Sequence, residues 1–393
     1  MRKKLLFVMN NMTCGGAEKS LLSLLQSIDY DKFEVDLFLF KHEGLFLNKI
    51  PPKVNLLEEP QYYTVFDMPI KKALVLSLRN MKLQLFASRV LSAILMRTEK
   101  NRARCEQRMW RYVSKAFPLL EKEYDAAIGY LEKSPIYYVI DKVNAKSKLG
   151  FIHSEYEAYG MDAVIDKPYF KQLDHLVTVS EECVRSLREM FPDIHSKIKL
   201  MHNIVTPRTI YTMADETTPL PFDNINIVSV GRLNRVKGFD LAIEACRFLQ
   251  KEGIPIKWYI VGEGEDRQRL EHLIDEKGLQ DTVILTGVQS NPYPYIKHCH
   301  IYVQTSLNEG RCLTITEAKI LQKPIVSTNF RAIYDQITHK ENGLIVEQDA
   351  ESISNGIKEL ITNNELRQKL INNLKDESLD NESEVNKFYQ WVG

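Results

Sequence analysis

Several signatures are missing from this 393-residue chain, and each absence removes a class of function. The six cysteines, Cys14, Cys105, Cys183, Cys246, Cys299 and Cys312, make no C-x-x-C pair and no zinc spacing. They fit a reduced, cytosolic chain and read as small buried hydrophobes. Charge of one sign is also missing: 52 Lys and Arg balance 52 Asp and Glu, so nothing in the net charge favours nucleic acid as a partner. No apolar run approaches the roughly 18 residues of a spanning helix. The opening MRKKLLFVMNNMTCGG is basic, but its apolar run Leu5 to Met9 is shorter than the roughly 7 to 15 residues of a signal sequence and reads as a first buried strand. Neither a G-x-G-x-x-G fingerprint nor a Walker A loop is present, which argues against NAD and against ATP hydrolysis. The D-x-D at Asp29 to Asp31 falls between a helix and a strand and reads as turn chemistry. His298 and His300 have no third ligand near them, so no metal is expected.

What the chain does contain is the balance of a globular protein, 44% apolar and 26% charged residues, at a length that predicts two domains. Strand-like runs alternate with helical ones: KLLFVM, FEVDLFLF, YDAAIGY, SKLGFIHS and HLVTVS. After the Pro-containing stretch 206–224, which has linker composition, a second series begins with INIVSV and runs through IKWYIVG, TVILTG, HIYVQTS, KPIVSTN and GLIVE. Alternation of this kind predicts an α/β chain of two doubly wound, Rossmann-like domains with a cleft between them. The expected division is 1–205, 206–375, and a terminal helix in 376–393 that crosses back to the first domain. Ligands of such sheets bind beyond the carboxyl ends of the strands.

In VSVGRLNRVKGFDLAIEA a strand meets a turn at Gly231, followed by Arg232, Lys237 and an amphipathic helix. A guanidinium fork beside an ammonium suits a diphosphate, although basic residues in a loop can also be merely solvated. VGEGED places Gly262 and Gly264 at the next strand end, where backbone can approach a ligand closely. EGRCLTITEA sets Glu309 and Glu317 on either side of a helix start. A carboxylate is an acceptor-only group able to take two vicinal hydroxyls, and one to two helical turns span roughly 5 to 10 Å.

These segments, with GGAEKS near the start, LTGVQSNPYPYI and the late ENGLIV, resemble in order and spacing the retaining glycosyltransferases of family 4, the "group 1" glycosyl transferases of GT-B fold. The resemblance covers nearly the whole chain and is densest over 225–350. It implies a nucleotide-sugar donor, with UDP the commoner nucleotide, held by the C-terminal domain, and a saccharide or lipid-linked acceptor held by the N-terminal one. Arg232 and Lys237 would then stabilise the departing diphosphate, Glu309 would face the transferred sugar and Glu317 the ribose. Gly231, Gly262, Gly264, Gly287, Val288, Gly310, Arg311, Cys312, Leu313 and Thr314 would line the donor. No metal or other cofactor is implied. The family has Phe-Gly or a similar pair where this chain has Arg311 and Cys312, a departure expected to bear on which sugar is accepted.

In the first domain, Gly15 and Gly16 stand between a strand and a helix, either as a tight turn or as a place of close backbone approach. The resemblance favours the second, matches Glu18, gives His153 a place near the donor sugar or the acceptor, and sets Ser180 and Asn203 on the hinge side. Between 70 and 115, twelve cationic residues oppose Glu99 and Glu106, with Leu74, Leu78, Met81, Leu85, Val90, Ile94, Met109 and Val113 at helical intervals. The pattern predicts a basic amphipathic helix pair, either a solvated face or a surface for anionic membrane or a lipid-linked pyrophosphate. The resulting expectation is a cytoplasmic or inner-face peripheral enzyme of bacterial surface-polysaccharide synthesis. The alternatives are a non-catalytic GT-B scaffold binding a protein or glycan, which should have lost the charged site residues, and a nucleotide-sugar epimerase, which GGAEK disfavours.

Overall fold

The computed structural model of the chain describes residues 2–13, 15–66, 68–79, 83–217 and 225–393. Cys14, Met81 and Lys82, and the side chains of Leu74, Leu78 and Arg79, lie outside the described residues. The chain divides into two compact units, one of 1–204 with 383–393 and the other of 205–382.

The first unit is built on a parallel sheet of seven strands: β1 (Lys3–Met9), β2 (Phe33–Leu39), β3 (Val54–Leu56), β4 (Leu120–Gly129), β5 (Val143–Ile152), β6 (His175–Thr178) and β7 (Ile198–Leu200). Their order is β3-β2-β1-β4-β5-β6-β7. Because side chains alternate across a strand, Leu6 and Val8 join the aromatic core of one face while Leu5, Phe7 and Met9 join the core of the other. The helix Val385–Val392 belongs to this unit: Phe388 is fully buried and stacks on Phe7 at 5.7 Å, and Tyr389 stacks on Phe33 at 5.2 Å. The Asp29 turn receives the Asp31 amide on its carboxylate at 3.1 Å, the Asx geometry its sequence predicts.

The second unit holds a parallel sheet of six strands: β8 (Ile225–Val230), β9 (Ile256–Val261), β10 (Val283–Gly287), β11 (Ile301–Gln304), β12 (Ile325–Thr328) and β13 (Leu344–Val346), in the order β10-β9-β8-β11-β12-β13. Helices again cover both faces. Leu313, Ile315 and Ala318 of the helix Leu313–Ile320 pack on the face of Val228 and Tyr302, whereas Phe239 and Ile243 of the helix Phe239–Lys251 pack on that of Ile227 and Val303.

Two expectations need correction. The stretch read as linker contains a helix, Pro207–Ala214, opened by Pro207 in the first turn and anchored by buried Ile210 and Ala214 at i, i+4 spacing. The basic stretch is three helices, Ile70–Arg79, Leu83–Thr98 and Arg102–Val113, not a pair. Nor is it uniformly a cationic face: Arg89 is buried and donates to the Val65 and Met68 carbonyls at 3.1 and 2.9 Å, and Arg108 pairs with Glu99 at 2.8 Å. Ile94, expected on the apolar side, is 53% exposed. Among the described residues no helix is long and apolar enough to cross a membrane.

Candidate active site

In each sheet the strand order reverses beside the first strand of the unit, so the loops at that carboxyl end leave an opening between them. In the second unit this places the loop after β8 beside the loop after β11.

After β8 the chain turns at Gly231, exposes Arg232 and makes a single 3₁₀ turn, Arg235–Lys237, capped by the Asn234 carboxamide on the Lys237 amide at 3.2 Å. Gly238 then opens the next helix at φ +60°, where an added Cβ would lie 2.2 Å from the Thr305 carbonyl oxygen. Only glycine permits both the dihedral and the approach. Gly262 obeys the same logic, since its φ is +152° and a Cβ would stand 1.9 Å from the Gly231 carbonyl oxygen. The loops after β8 and β9 are thereby pressed together, with Leu233 donating to the Glu263 carbonyl at 2.9 Å. Gly264 shares this contact, Gly287 ends β10 and Val288 beyond it is 42% exposed.

After β11 the chain carries Glu309, Gly310, Arg311 and Cys312 into the helix Leu313–Ile320, whose start falls between the two glutamates. The Lys237 ammonium reaches Glu309 Oε1, and the Ser306 hydroxyl donates to the same oxygen at 2.7 Å. Both groups are mostly buried, which strengthens their attraction relative to a surface pair. Glu317 is 1% exposed and sits one turn into the helix. Burial, with the Glu309 carboxylate beside it, pushes the Cys312 thiol up to about 11, so at neutral pH it is an uncharged packing group. Thr314 Oγ1 stands 3.1 Å from that sulfur and donates to Gln304 Oε1 at 3.2 Å.

The structure thus brings Lys237 and Glu309 into direct contact. Arg232 lies on the same loop as Lys237, with its side chain exposed. Gly15, Gly16 and His153 fall in the other unit. There Gly15 caps the helix Gly16–Ser27, and Glu18 turns back to accept from Thr13 Oγ1 at 2.7 Å, a local brace for the glycine loop. Ser180 caps the helix Glu181–Met190, and Asn203 accepts from the buried Ser20 hydroxyl at 2.6 Å. His153 follows β5, with Nε2 donating to the Tyr130 carbonyl at 3.1 Å, and burial holds its imidazole below the ordinary value, so it is neutral at pH 7.

Three residues of this architecture escaped the sequence reading. Glu132, after β4, accepts from the His153 amide at 3.1 Å and from Ser154 Oγ at 2.6 Å. Gln336 holds the start of the Glu317 helix from both sides, accepting from the Cys312 amide at 2.9 Å and donating to the Cys312 carbonyl at 2.8 Å. Ser306 is the third. Its only sequence signal is a place in the polar run Gln304–Ser306 that ends β11. His300, in contrast, accepts the Asn226 amide on Nδ1 at 3.0 Å, a structural role, and among the described residues no group of three or more His, Cys, Asp or Glu could hold a metal.

Residues 215–377 match the model of the glycosyl transferases group 1 family. The match falls within the second unit and spans most of it. An uncharacterized glycosyltransferase of Methanocaldococcus jannaschii, MJ1059, is 28% identical over 168 residues, 42% of this chain and 41% of that protein. The N-acetylgalactosamine-N,N'-diacetylbacillosaminyl-diphospho-undecaprenol 4-alpha-N-acetylgalactosaminyltransferase of Campylobacter jejuni is 29% identical over 208 residues, 52% of this chain and 56% of that one. The chain therefore spans about half the length of the curated relatives it matches. Anabaena Alr3699/HepE, solved in complex with UDP-glucose, superposes with a TM-score of 0.68 at 14% identity, covering 100% of this chain and 98% of its own. The fold of the chain is accordingly GT-B, with one Rossmann-like sheet in each unit.

Proposed function

We propose that this protein is a retaining glycosyltransferase that moves a hexose or N-acetylhexosamine from a UDP-sugar to a saccharide or lipid-linked acceptor in bacterial surface-polysaccharide synthesis. The observation that carries the reading is the meeting of Lys237 and Glu309 at the strand-order reversal of a group 1 domain, with Glu317 buried on the helix between the same loops. The Alr3699/HepE complex and the C. jejuni transferase support a UDP-linked donor and a diphospho-undecaprenol type of acceptor.

In the transfer, the bond from the anomeric carbon to the β-phosphate oxygen breaks and its electron pair leaves with UDP. The acceptor oxygen bonds to the same carbon on the same face of the ring, and its proton passes to the departing phosphate. Negative charge grows on the diphosphate, where Arg232 and Lys237 stabilise it in the place a divalent metal would take. One such contact is worth roughly 3 to 4 kcal/mol in the transition state. Glu309 accepts from the sugar hydroxyls and Glu317 from the ribose diol. Gly231, Gly262, Gly264, Gly287, Val288, Gly310, Arg311, Cys312, Leu313 and Thr314 line the donor. Gly15, Gly16 and His153 serve the sugar and acceptor side, and 1–205 is the acceptor domain.

The first unit is also proposed to rest on an anionic membrane surface. Exposed Val75, Leu91, Ile94 and Met96 lie on helices that carry exposed Lys71, Lys72 and Arg97, a combination that suits a cytoplasmic-leaflet interface.

Incubation with UDP-glucose, UDP-galactose, UDP-N-acetylglucosamine and UDP-N-acetylgalactosamine, with EDTA present, should release UDP from at least one of them. Failure to bind or cleave any of the four, with a protein co-purifying instead, would favour a non-catalytic scaffold.

A further inference from the structure

The alternation of β11 sorts its side chains between two jobs. Tyr302, Gln304 and Ser306 fall on the face covered by the helix Leu313–Ile320, and they form a hydrogen-bonded column. The Tyr302 hydroxyl donates to Gln304 Oε1 at 2.7 Å, Gln304 Nε2 donates to Ser306 Oγ at 2.6 Å, and Ser306 Oγ donates to Glu309 Oε1 at 2.7 Å. Thr305 points the other way, and its hydroxyl donates to the Lys237 carbonyl at 2.8 Å. Successive residues of one strand end therefore brace the backbone of Lys237 and the carboxylate of Glu309.

Within the column each donor and acceptor has one consistent assignment. Gln304 Oε1 already receives Tyr302 and Thr314, so its amide nitrogen faces Ser306. A hydroxyl that accepts there has its proton left for Glu309. With Ser306 and Lys237 both on Oε1, Oε2 of Glu309 has no hydrogen bond or ion pair among the described residues. All three column residues are buried, so water does not substitute for a missing member. The backbone is tied as well, because Thr328 Oγ1 donates to the Ser306 carbonyl at 2.6 Å.

We infer that Ser306, oriented by Gln304, is a positioning residue that commits one oxygen of Glu309 to the protein and leaves the other to recognise hydroxyls of the donor sugar. The inference rests on the transfer reading above and adds to it the residue that sets sugar recognition. Without the Ser306 hydroxyl, the Lys237 ammonium remains on Oε1 but the plane of the carboxylate is less fixed, so the sugar loses a set acceptor direction while the nucleotide does not.

The test compares wild type with Ser306→Ala and Ser306→Thr, using calorimetric titration of UDP and of the four UDP-sugars, and UDP release. The expected result is that Ser306→Ala binds UDP within about twofold of wild type, while its gain in affinity from the sugar and its kcat/KM fall by about ten- to a hundredfold, the scale of one hydrogen bond to a charged group. Ser306→Thr, which keeps the hydroxyl, restores both. A Ser306→Ala variant equal to wild type, or a wild type in which the sugar adds nothing to UDP binding, overturns the inference and leaves UDP recognition standing. A wild type that binds no UDP overturns the transfer reading and this inference together. Loss of UDP and sugar affinity in equal measure assigns Ser306 a merely structural role and also overturns it.

Discussion

Lys237 and Glu309, 72 residues apart in the chain, meet through the ammonium and one carboxylate oxygen at the ends of neighbouring strands β8 and β11. Neither loop holds this contact alone. Lys237 is placed by a 3₁₀ turn with an Asn cap, and Glu309 by the loop that runs into the Glu317 helix. In the proposed transfer the same ammonium would be shared between a phosphate oxygen of the donor and the carboxylate, so that donor binding would be coupled to the orientation of Glu309.

The first prediction concerns the cations. Lys237→Ala and Arg232→Ala should each lower kcat for UDP release by about a hundred- to a thousandfold, since each removes a donor to the charge that grows on the leaving group. If Arg232→Ala matches wild type in a single-turnover assay, the exposed guanidinium is only a surface charge.

Glu317→Gln should act on binding more than on chemistry. The substitution keeps the buried shape but turns an acceptor pair into one acceptor and one donor, so the affinity for UDP should fall by roughly 1.5 to 3 kcal/mol. Titration calorimetry with UDP reads this directly, and UDP affinity unchanged in the variant would remove Glu317 from the ribose.

Gly238→Ala should damage both stability and turnover. The new methyl group meets the Thr305 carbonyl oxygen at 2.2 Å in a left-handed conformation, which costs roughly 1 to 2 kcal/mol for the dihedral alone. The neighbouring Lys237 moves with the backbone. Chemical denaturation and UDP release should both show the loss.

A pH effect is expected in the first unit. Asp166 lies buried among Tyr137, Tyr156 and Gln107, and burial pushes its carboxyl up to about 6 from 3.8. The folded state therefore holds this proton more tightly than the unfolded chain. The associated stability is fully present below about pH 4 and is lost as pH rises through about 6, by about 2 to 3 kcal/mol. Asp166→Asn should abolish that segment of the pH dependence, seen as the difference between the two proteins' urea midpoints at pH 4.5 and 7.

Phe388→Ala tests the terminal helix. The ring is fully buried against Phe7, so its removal should destabilise the first unit by about 3 to 5 kcal/mol in equilibrium denaturation followed on that unit.

Most strands were legible because parallel strands buried on both faces read as short apolar runs, and each quoted run from KLLFVM to GLIVE contains all or most of a strand, whereas the three-residue β3 and β7 are too short to stand out. The helix Pro207–Ala214 was hidden by Pro207 and its polar neighbours, which have the composition of a linker until Ile210 and Ala214 find a core. Arg89 could not be told from its exposed neighbours, because only the folded loop supplies the Val65 and Met68 carbonyls it serves. At the site, Glu309 and Glu317 stood out as carboxylates within an apolar segment. Ser306, Gln336 and Glu132 did not, since a single polar residue acquires meaning only from the partner opposite it, 24 residues away in the case of Gln336 and Cys312.

The most direct measurement is a crystal structure of the protein with a UDP-sugar that it cleaves slowly or not at all. The account predicts the diphosphate against Arg232 and Lys237, the ribose on Glu317 and a sugar hydroxyl on Oε2 of Glu309. A nucleotide held away from these four side chains, or bound to the first unit alone, would contradict it.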